Sequence, residues 1–322
     1  MSEMNESEIL PIPDTSPKTT TNTISIEDEA VQKPQAESAP SNIKVGNILN
    51  ADGLNIVTRC WQPKDTVNIR AILFISHGLA EHAARYDPLA KAFTEVGIMV
   101  FAHDHVGHGR SDGERAQILD FLIFSRDVIQ HVTTIRNEYP NIPLFLFGHS
   151  MGSLIAVDVI LQKQELFKGL LLSGMCLKPD PNMIGPTTIF FGKIVAWLAP
   201  SIKIKKLDPV GVSRDENEVR KYAEDPLNYT EGIKAGMGAS IITRGEAVLP
   251  RLGEIHLPTL VFHGGDDTFT FVGNSHLVFN AIQSEDKQIK IWPAARHELH
   301  NEIEPDRTQI IQSYVTFIQE RI

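Results

Sequence analysis

The chain has 322 residues, 42% of them hydrophobic and 7% aromatic, with a formal net charge of −10. That length suits one large domain or two ordinary ones, with enough apolar residues to build a core over most of it. The acidic balance, with no basic stripe, argues against a nucleic-acid partner.

The first 42 residues differ from the rest. They hold Pro11, Pro13, Pro17, Pro34 and Pro40, runs of threonine and serine, and few large apolar residues. Eight acids against Lys18 and Lys33 place −6 of the formal −10 there. Such a segment cannot bury enough apolar surface to offset its ordering entropy, so 1–42 is expected to be a disordered, solubilising acidic tail. No basic region followed by an apolar core opens the chain, so no signal peptide is expected. No uninterrupted apolar run reaches about 18 residues, so no bilayer-spanning segment is expected. Cys60 and Cys176 lie far apart, and without a secretory signal they are expected as reduced thiols of a cytoplasmic protein.

Regular patterning begins at residue 43. "KVGNILNADGLNIVTRCWQP" predicts a hairpin, with Asp52-Gly53 as its turn signal. "RAILFISHG" (70–78) is a nearly continuous apolar run, as in a strand buried on both faces. Helical spacing follows over 86–97, then a second buried strand over 98–104. Residues 120–140 predict a long helix stopped by Pro140. A strand over 143–147, a helix over 151–164 and a strand over 168–174 come next. After a break, strands are predicted at 259–264 and 287–292, with helices near 274–283 and at 306–321. Strands alternating with helices imply right-handed crossovers and a mostly parallel sheet with helices on both faces. The interruption at about 175–250 reads as a cap inserted between two strands.

The most informative segment is "PLFLFGHSMGSLIAVDVIL" (143–161). Gly148-His149-Ser150-Met151-Gly152 sits between a predicted strand and a predicted helix, which is the context of a nucleophile elbow. The alternative is a strand-to-helix turn with an idle serine. A reactive serine needs a histidine base and a carboxylate to orient it, arriving in the order Ser, acid, His after successive strands. Asp266 and Asp267 in "VFHGGDDTF" both qualify by position as the acid. His297 and His300 in "IWPAARHELH" both qualify as the base. The backbone N–H groups of Met151, next to the nucleophile, and of Leu79, in the loop after an early strand, are candidate oxyanion donors.

Taken together, "SHGLAEHAARY", "FAHDHVGHGRSDGER", "GHSMGS", "HGGDD" and "RHELHNE" resemble the monoacylglycerol lipase family of α/β-hydrolases over roughly 43–320. The resemblance implies an α/β-hydrolase fold over 43–322 and a serine hydrolase that cleaves monoacylglycerol or a related lipid ester. It assigns Ser150 as nucleophile, Asp267 rather than Asp266 as acid, His297 rather than His300 as base, and Leu79 and Met151 as oxyanion donors. Glu81, Arg85, Tyr222 and His300 match positions that hold glycerol hydroxyls. The chain departs from the family pattern at Leu79 and Ala80, where smaller residues are usual, at Ser153, where glycine is usual, and in the apolar "TFTF" after the acid. Ser153 falls early in the helix, where either residue is tolerated. A lysophospholipase or other short-ester carboxylesterase is the alternative activity. A non-catalytic binding protein of this fold would usually have lost a triad member or an elbow glycine, and this chain keeps all of them.

"HDHVGHG" (103–109) and "HELH" (297–300) imitate metal sites without the spacing of one, so neither metal nor organic cofactor is expected. The first reads instead as a glycine-rich loop in which Asp104 hydrogen-bonds its own turn. In the cap, "MIGPTTIFFGKIVAWLAP" (183–200) places Phe190, Ile194, Trp197 and Leu198 on one helix face, broadened by Phe191, Val195 and Ala196. With Lys203, Lys205 and Lys206 beside it, the helix suits a membrane surface or packing on its own domain.

Overall fold

The computed structural model describes residues 42–322; the tail expected over 1–42 lies, except for Asn42, outside the described residues. The hairpin forms from β1 (Ile43–Leu49) and β2 (Asn55–Trp61), paired antiparallel. The apolar runs that follow become β3 (Ala71–Ser76) and β4 (Ile98–His103), and every residue in both is buried. β5 (Leu144–His149) and β6 (Gly169–Ser173) are buried throughout in the same way. They join a sheet with the order β1-β2-β4-β3-β5-β6 that continues through β9 (Thr259–Gly264) to β10 (Lys287–Trp292) at the far edge. From β4 to β10 all pairings are parallel, as the crossovers require.

Successive side chains on a strand point to opposite faces, so the sheet feeds two cores. Ile72 and Phe74 pack with α2 (Leu122–Glu138) and α3 (Met151–Lys163) through Phe124, Val128, Leu154 and Val157. Leu73 and Ile75 face the other way, toward α1 (Asp87–Thr94) and the closing helix. α1 ends at Thr94, before the end of its helical spacing, because the chain turns there: Val96 N and Gly97 N donate to Phe93 O and Thr94 O, and Gly97 takes φ 84°.

Between β6 and β9 lie α4 (Pro186–Leu198), β7 (Lys203–Lys205), α5 (Glu216–Glu224), β8 (Ile233–Lys234) and α6 (Ala235–Val248). β7 and β8 pair as a separate two-stranded ribbon. Proline at the first position starts α4, where its missing N–H costs nothing. The Asp215 side chain caps α5 by accepting from Asn217 N. After β9, α7 (Gly273–Ala281) leads to β10, and α8 (Asp306–Gln319) closes the fold. Among the described residues, no helix is long and apolar enough to cross a membrane.

Candidate active site

The reason for two glycines around Ser150 is steric. A Cβ on Gly152 would collide with the carbonyl oxygens of Ser76 and His77 at the end of β3. A Cβ on Gly148 would strike Gly152 O and lie 2.7 Å from Ser153 Cα. Strand and helix can meet this closely only if both positions lack side chains. Ser150, at the apex, has φ 54° and ψ −125°, a sparsely populated conformation costing roughly 1–3 kcal/mol that the packed elements around it must hold. Its N–H donates to Ser173 O at 3.0 Å. Ser153 adds a brace: its hydroxyl donates to Ser150 O at 2.5 Å and accepts from Cys176 N at 3.0 Å. Glycine could supply neither bond, so Ser153 has a structural role beyond being tolerated.

The two aspartates that position alone left equal are separated by geometry. Asp266 is exposed, while the Asp267 side chain is fully buried. Asp267 Oδ1 accepts from Phe269 N at 2.8 Å and Thr270 N at 3.0 Å, which turns the carboxylate inward. Its Oδ2 receives Nδ1 of His297 at 2.7 Å and the Thr270 hydroxyl at 2.8 Å. His263 Nε2 lies 3.2 Å from the same oxygen, and His263 Nδ1 is 2.7 Å from the Ser275 hydroxyl. Burial pushes the Asp267 carboxyl up, but His297 and His263, through charge and hydrogen bonding, outweigh burial and hold it well below the usual carboxylate range. The same contact works on the imidazole. Burial lowers His297, and the Asp267 charge and hydrogen bond outweigh that and raise it above its ordinary value.

Nδ1–H of His297 is thus committed to Asp267, leaving Nε2 as the proton acceptor. Gly174, at φ 58°, lets the ring approach; a Cβ there would sit 3.3 Å from it. His297 and Ser150 line one cavity. Among the described residues neither Ser150 Oγ nor His297 Nε2 has a protein hydrogen-bond partner, so both remain available to a reacting ester. His300, the other candidate, is stacked on Tyr86 at 4.8 Å, and burial pushes it down to about 4.

Gly78 brings the loop after β3 against Ser150, since a Cβ there would lie 3.0 Å from Ser150 Cβ. Leu79 N–H has no acceptor among the described residues, and the first N–H groups of α3, including that of Met151, have no intrahelical partner. Ala80 takes φ 69°, an unusual conformation for a residue with a Cβ. The loop is tied to the segment between α5 and β8: Tyr229 N donates to Ala80 O at 2.9 Å, and His82 Nε2 meets Asp225 at 3.0 Å. Asp104 accepts from Ala83 N and Arg110 N, both at 2.8 Å, so it braces this loop as well as its own turn.

The cavity over Ser150 holds about 630 Å³. Its buried pole is polar, lined by Glu81, Tyr222 and Glu298; Arg85 and His300 stand behind these and are not among the lining residues. Elsewhere its walls are apolar, with Ile189, Phe191, Val195, Ile241, Ile242 and Phe269. Phe271 does not line it. Phe191 is 62% exposed although it lines the cavity, so this side opens to the outside. On α4, Phe190 is 61% and Trp197 82% exposed, and Leu198 is also exposed, while Ala196 is buried. Among the described residues no cluster of side chains has the makings of a metal site. Sequence reasoning assigned no role to His263, Ser275 or Glu298. A histidine closing a buried strand and a glutamate between two candidate bases carry no spacing signal of their own.

The family model described as serine aminopeptidase, S33 matches residues 67–304. The chain is 34% identical over 298 residues to the monoglyceride lipase of Rattus norvegicus, covering 90% of this chain and 97% of that one. It is 33% identical over 266 residues to the monoacylglycerol lipase of Mycolicibacterium smegmatis, covering 83% and 93%. A solved structure of a soluble variant of the monoglyceride lipase from Saccharomyces cerevisiae, in complex with a substrate analog, matches with a TM-score of 0.76 at 21% identity. That match covers 89% of this chain and 98% of the other and speaks to the fold.

Proposed function

The chain belongs to the monoacylglycerol lipase family of α/β-hydrolases, and on that premise we propose how its residues hydrolyse monoacylglycerol to free fatty acid and glycerol. Ser150 Oγ attacks the ester carbonyl while His297 Nε2 takes its proton. Asp267 fixes the imidazole in the Nδ1–H tautomer and stabilises its positive charge. The N–H groups of Leu79 and Met151 hold the tetrahedral oxyanion. When the intermediate collapses, the bond to glycerol oxygen breaks and His297 returns the proton to it. Water then attacks the acyl-enzyme with the same base and releases the fatty acid. No metal or organic cofactor enters these steps.

The acyl chain lies along the apolar walls, with the glycerol at the pole formed by Glu81 and Tyr222, supported by Arg85 and His300. Residues 175–250 act as the cap. The exposed apolar face of α4 rests on the bilayer that holds the substrate, with the exposed Lys205 and Lys206 beside it. This fits a cytoplasmic protein in peripheral contact with a membrane, with both thiols unpaired.

The observation that carries this reading is the Asp267–His297 pair at 2.7 Å, sharing a cavity with a serine at the apex of a strained elbow. Purified protein should hydrolyse monoacylglycerol and be labelled by a serine-directed phosphonate. Ser150→Ala should lose both while its circular dichroism is unchanged. Labelling of that variant at the wild-type level would overturn the assignment.

A further inference from the structure

Glu298 follows the base His297 in the chain, and its backbone N–H is pinned to Val212 O at 2.8 Å. Its Oε2 accepts from Arg85 Nη2 at 2.5 Å and Asn301 Nδ2 at 2.7 Å. Arg85 Nε lies 3.4 Å from Glu81 Oε2, and the guanidinium sits 4.9 Å from the Tyr222 ring centroid. Two buried carboxylates and an aromatic face therefore enclose one buried guanidinium. The lysines that line the cavity, Lys178, Lys193 and Lys205, belong to its solvent side: Lys178 and Lys205 are exposed, and Lys193 pairs with Glu246 at 2.6 Å. One acceptor at the buried pole remains open: Glu298 lines the cavity and, among the described residues, no protein donor reaches its Oε1. Glu81 Oε2 also has no hydrogen-bond partner, but it is fully buried and faces Arg85 Nε.

We propose that Glu298 determines head-group selectivity: by engaging Arg85 it withdraws the guanidinium from ligand anions, so the pole admits uncharged hydroxyl-bearing head groups and rejects phosphate-bearing ones. The inference rests on the lipid-ester reading above and deepens it. A hydroxyl donates to the open Glu298 Oε1 and leaves every existing pair intact. A phosphate monoester carries between one and two negative charges at neutral pH and would set them against two carboxylates in a poorly solvated site. Recruiting Arg85 would mean breaking its pair with Glu298 and stranding a buried charge, which is more costly than the pair is stabilising. Selectivity thus comes from a repulsive element placed opposite the unwanted ligand. The electrostatics agree. Burial raises Glu298, but Arg85, with His300, the Asn301 hydrogen bond and His297, holds the carboxyl below its ordinary value, while burial and Glu298 together raise Glu81.

The test compares 1-oleoylglycerol with 1-oleoyl-lysophosphatidate, which differ only in the phosphate, presented in uncharged detergent micelles. Wild-type protein should favour the neutral ester in kcat/KM by about 100-fold or more. Glu298→Gln should narrow that ratio by about tenfold or more, chiefly through the KM for lysophosphatidate, and Glu298→Asp should restore it. A Glu298→Gln enzyme that cleaves 1-oleoylglycerol with the wild-type ratio would overturn the proposal. A measurement on wild-type protein does not depend on the variants folding. The ether analogue of oleoylglycerol should raise its melting temperature and the phosphorylated ether should not; equal stabilisation by both would also overturn it. If wild-type protein cleaved neither ester, the catalytic reading would fall, and the ether pair would still decide selectivity.

Discussion

Beneath Ser150, every residue of β3, β5, β6 and β9 is buried, and backbones touch where Gly148 and Gly152 allow it. Above it, α4 turns Phe190, Trp197 and Leu198 outward. Both regions are apolar, yet their side chains do different work. Below, shape complementarity holds one serine in a conformation it would not otherwise adopt. Above, exposed apolar surface costs solubility and brings no packing among the described residues, the pattern of an interaction surface. Similar residue chemistry therefore specifies position in one region and, on the proposed reading, partnership in the other.

That contrast can be broken at several points. The largest effect is expected at Asp267→Asn. It should lower kcat about 10,000-fold, because the imidazole loses its orienting charge. His297 must be neutral to act as base, so wild-type activity should fall as pH drops through its raised pKa, above the ordinary 6.5. Removing the Asp267 charge lowers that pKa, so the acid limb of the residual kcat/KM profile should move to lower pH. A limb that stays in place would separate Asp267 from the titrating group. Next is Gly152→Ala, whose new methyl meets the backbone oxygens of Ser76 and His77. It should cost about 3 kcal/mol of stability and about 100-fold in activity, read by chemical denaturation and ester assay. The smallest effect belongs to the cap. Phe190→Ser/Trp197→Ser/Leu198→Ser should reduce the liposome-bound fraction about tenfold. Hydrolysis of a short water-soluble ester should change less than about twofold, because none of the three lines the cavity. Unchanged liposome binding would leave α4 without its proposed partner.

How far the sequence spoke depended on whether a signal was local. Ser150 was legible because the elbow requires glycines two residues away on either side and an apolar element beyond each. Asp266 and Asp267 were not separable by residue reasoning, since neighbours in one loop satisfy the same positional rule. What distinguishes them is the pair of backbone N–H groups, from Phe269 and Thr270, that turns Asp267 inward. The short strands β7 and β8 gave no periodicity to find. Glu298 was hidden for the opposite reason. Its partner Arg85 lies 213 positions away, and a glutamate between two histidines reads as an ordinary polar residue until the fold closes.

The bonds from Tyr229 N to Ala80 O and from His82 to Asp225 divide the cap into a frame and a door. The stretch from Asp225 to Tyr229 is fastened to the loop that carries Leu79, so moving it would carry the proposed oxyanion donor along. Neither of those two bonds reaches α4. An entrance widened by swinging α4 alone would let an acyl chain pass while the catalytic geometry stays set, so admission and chemistry need not compete for one motion.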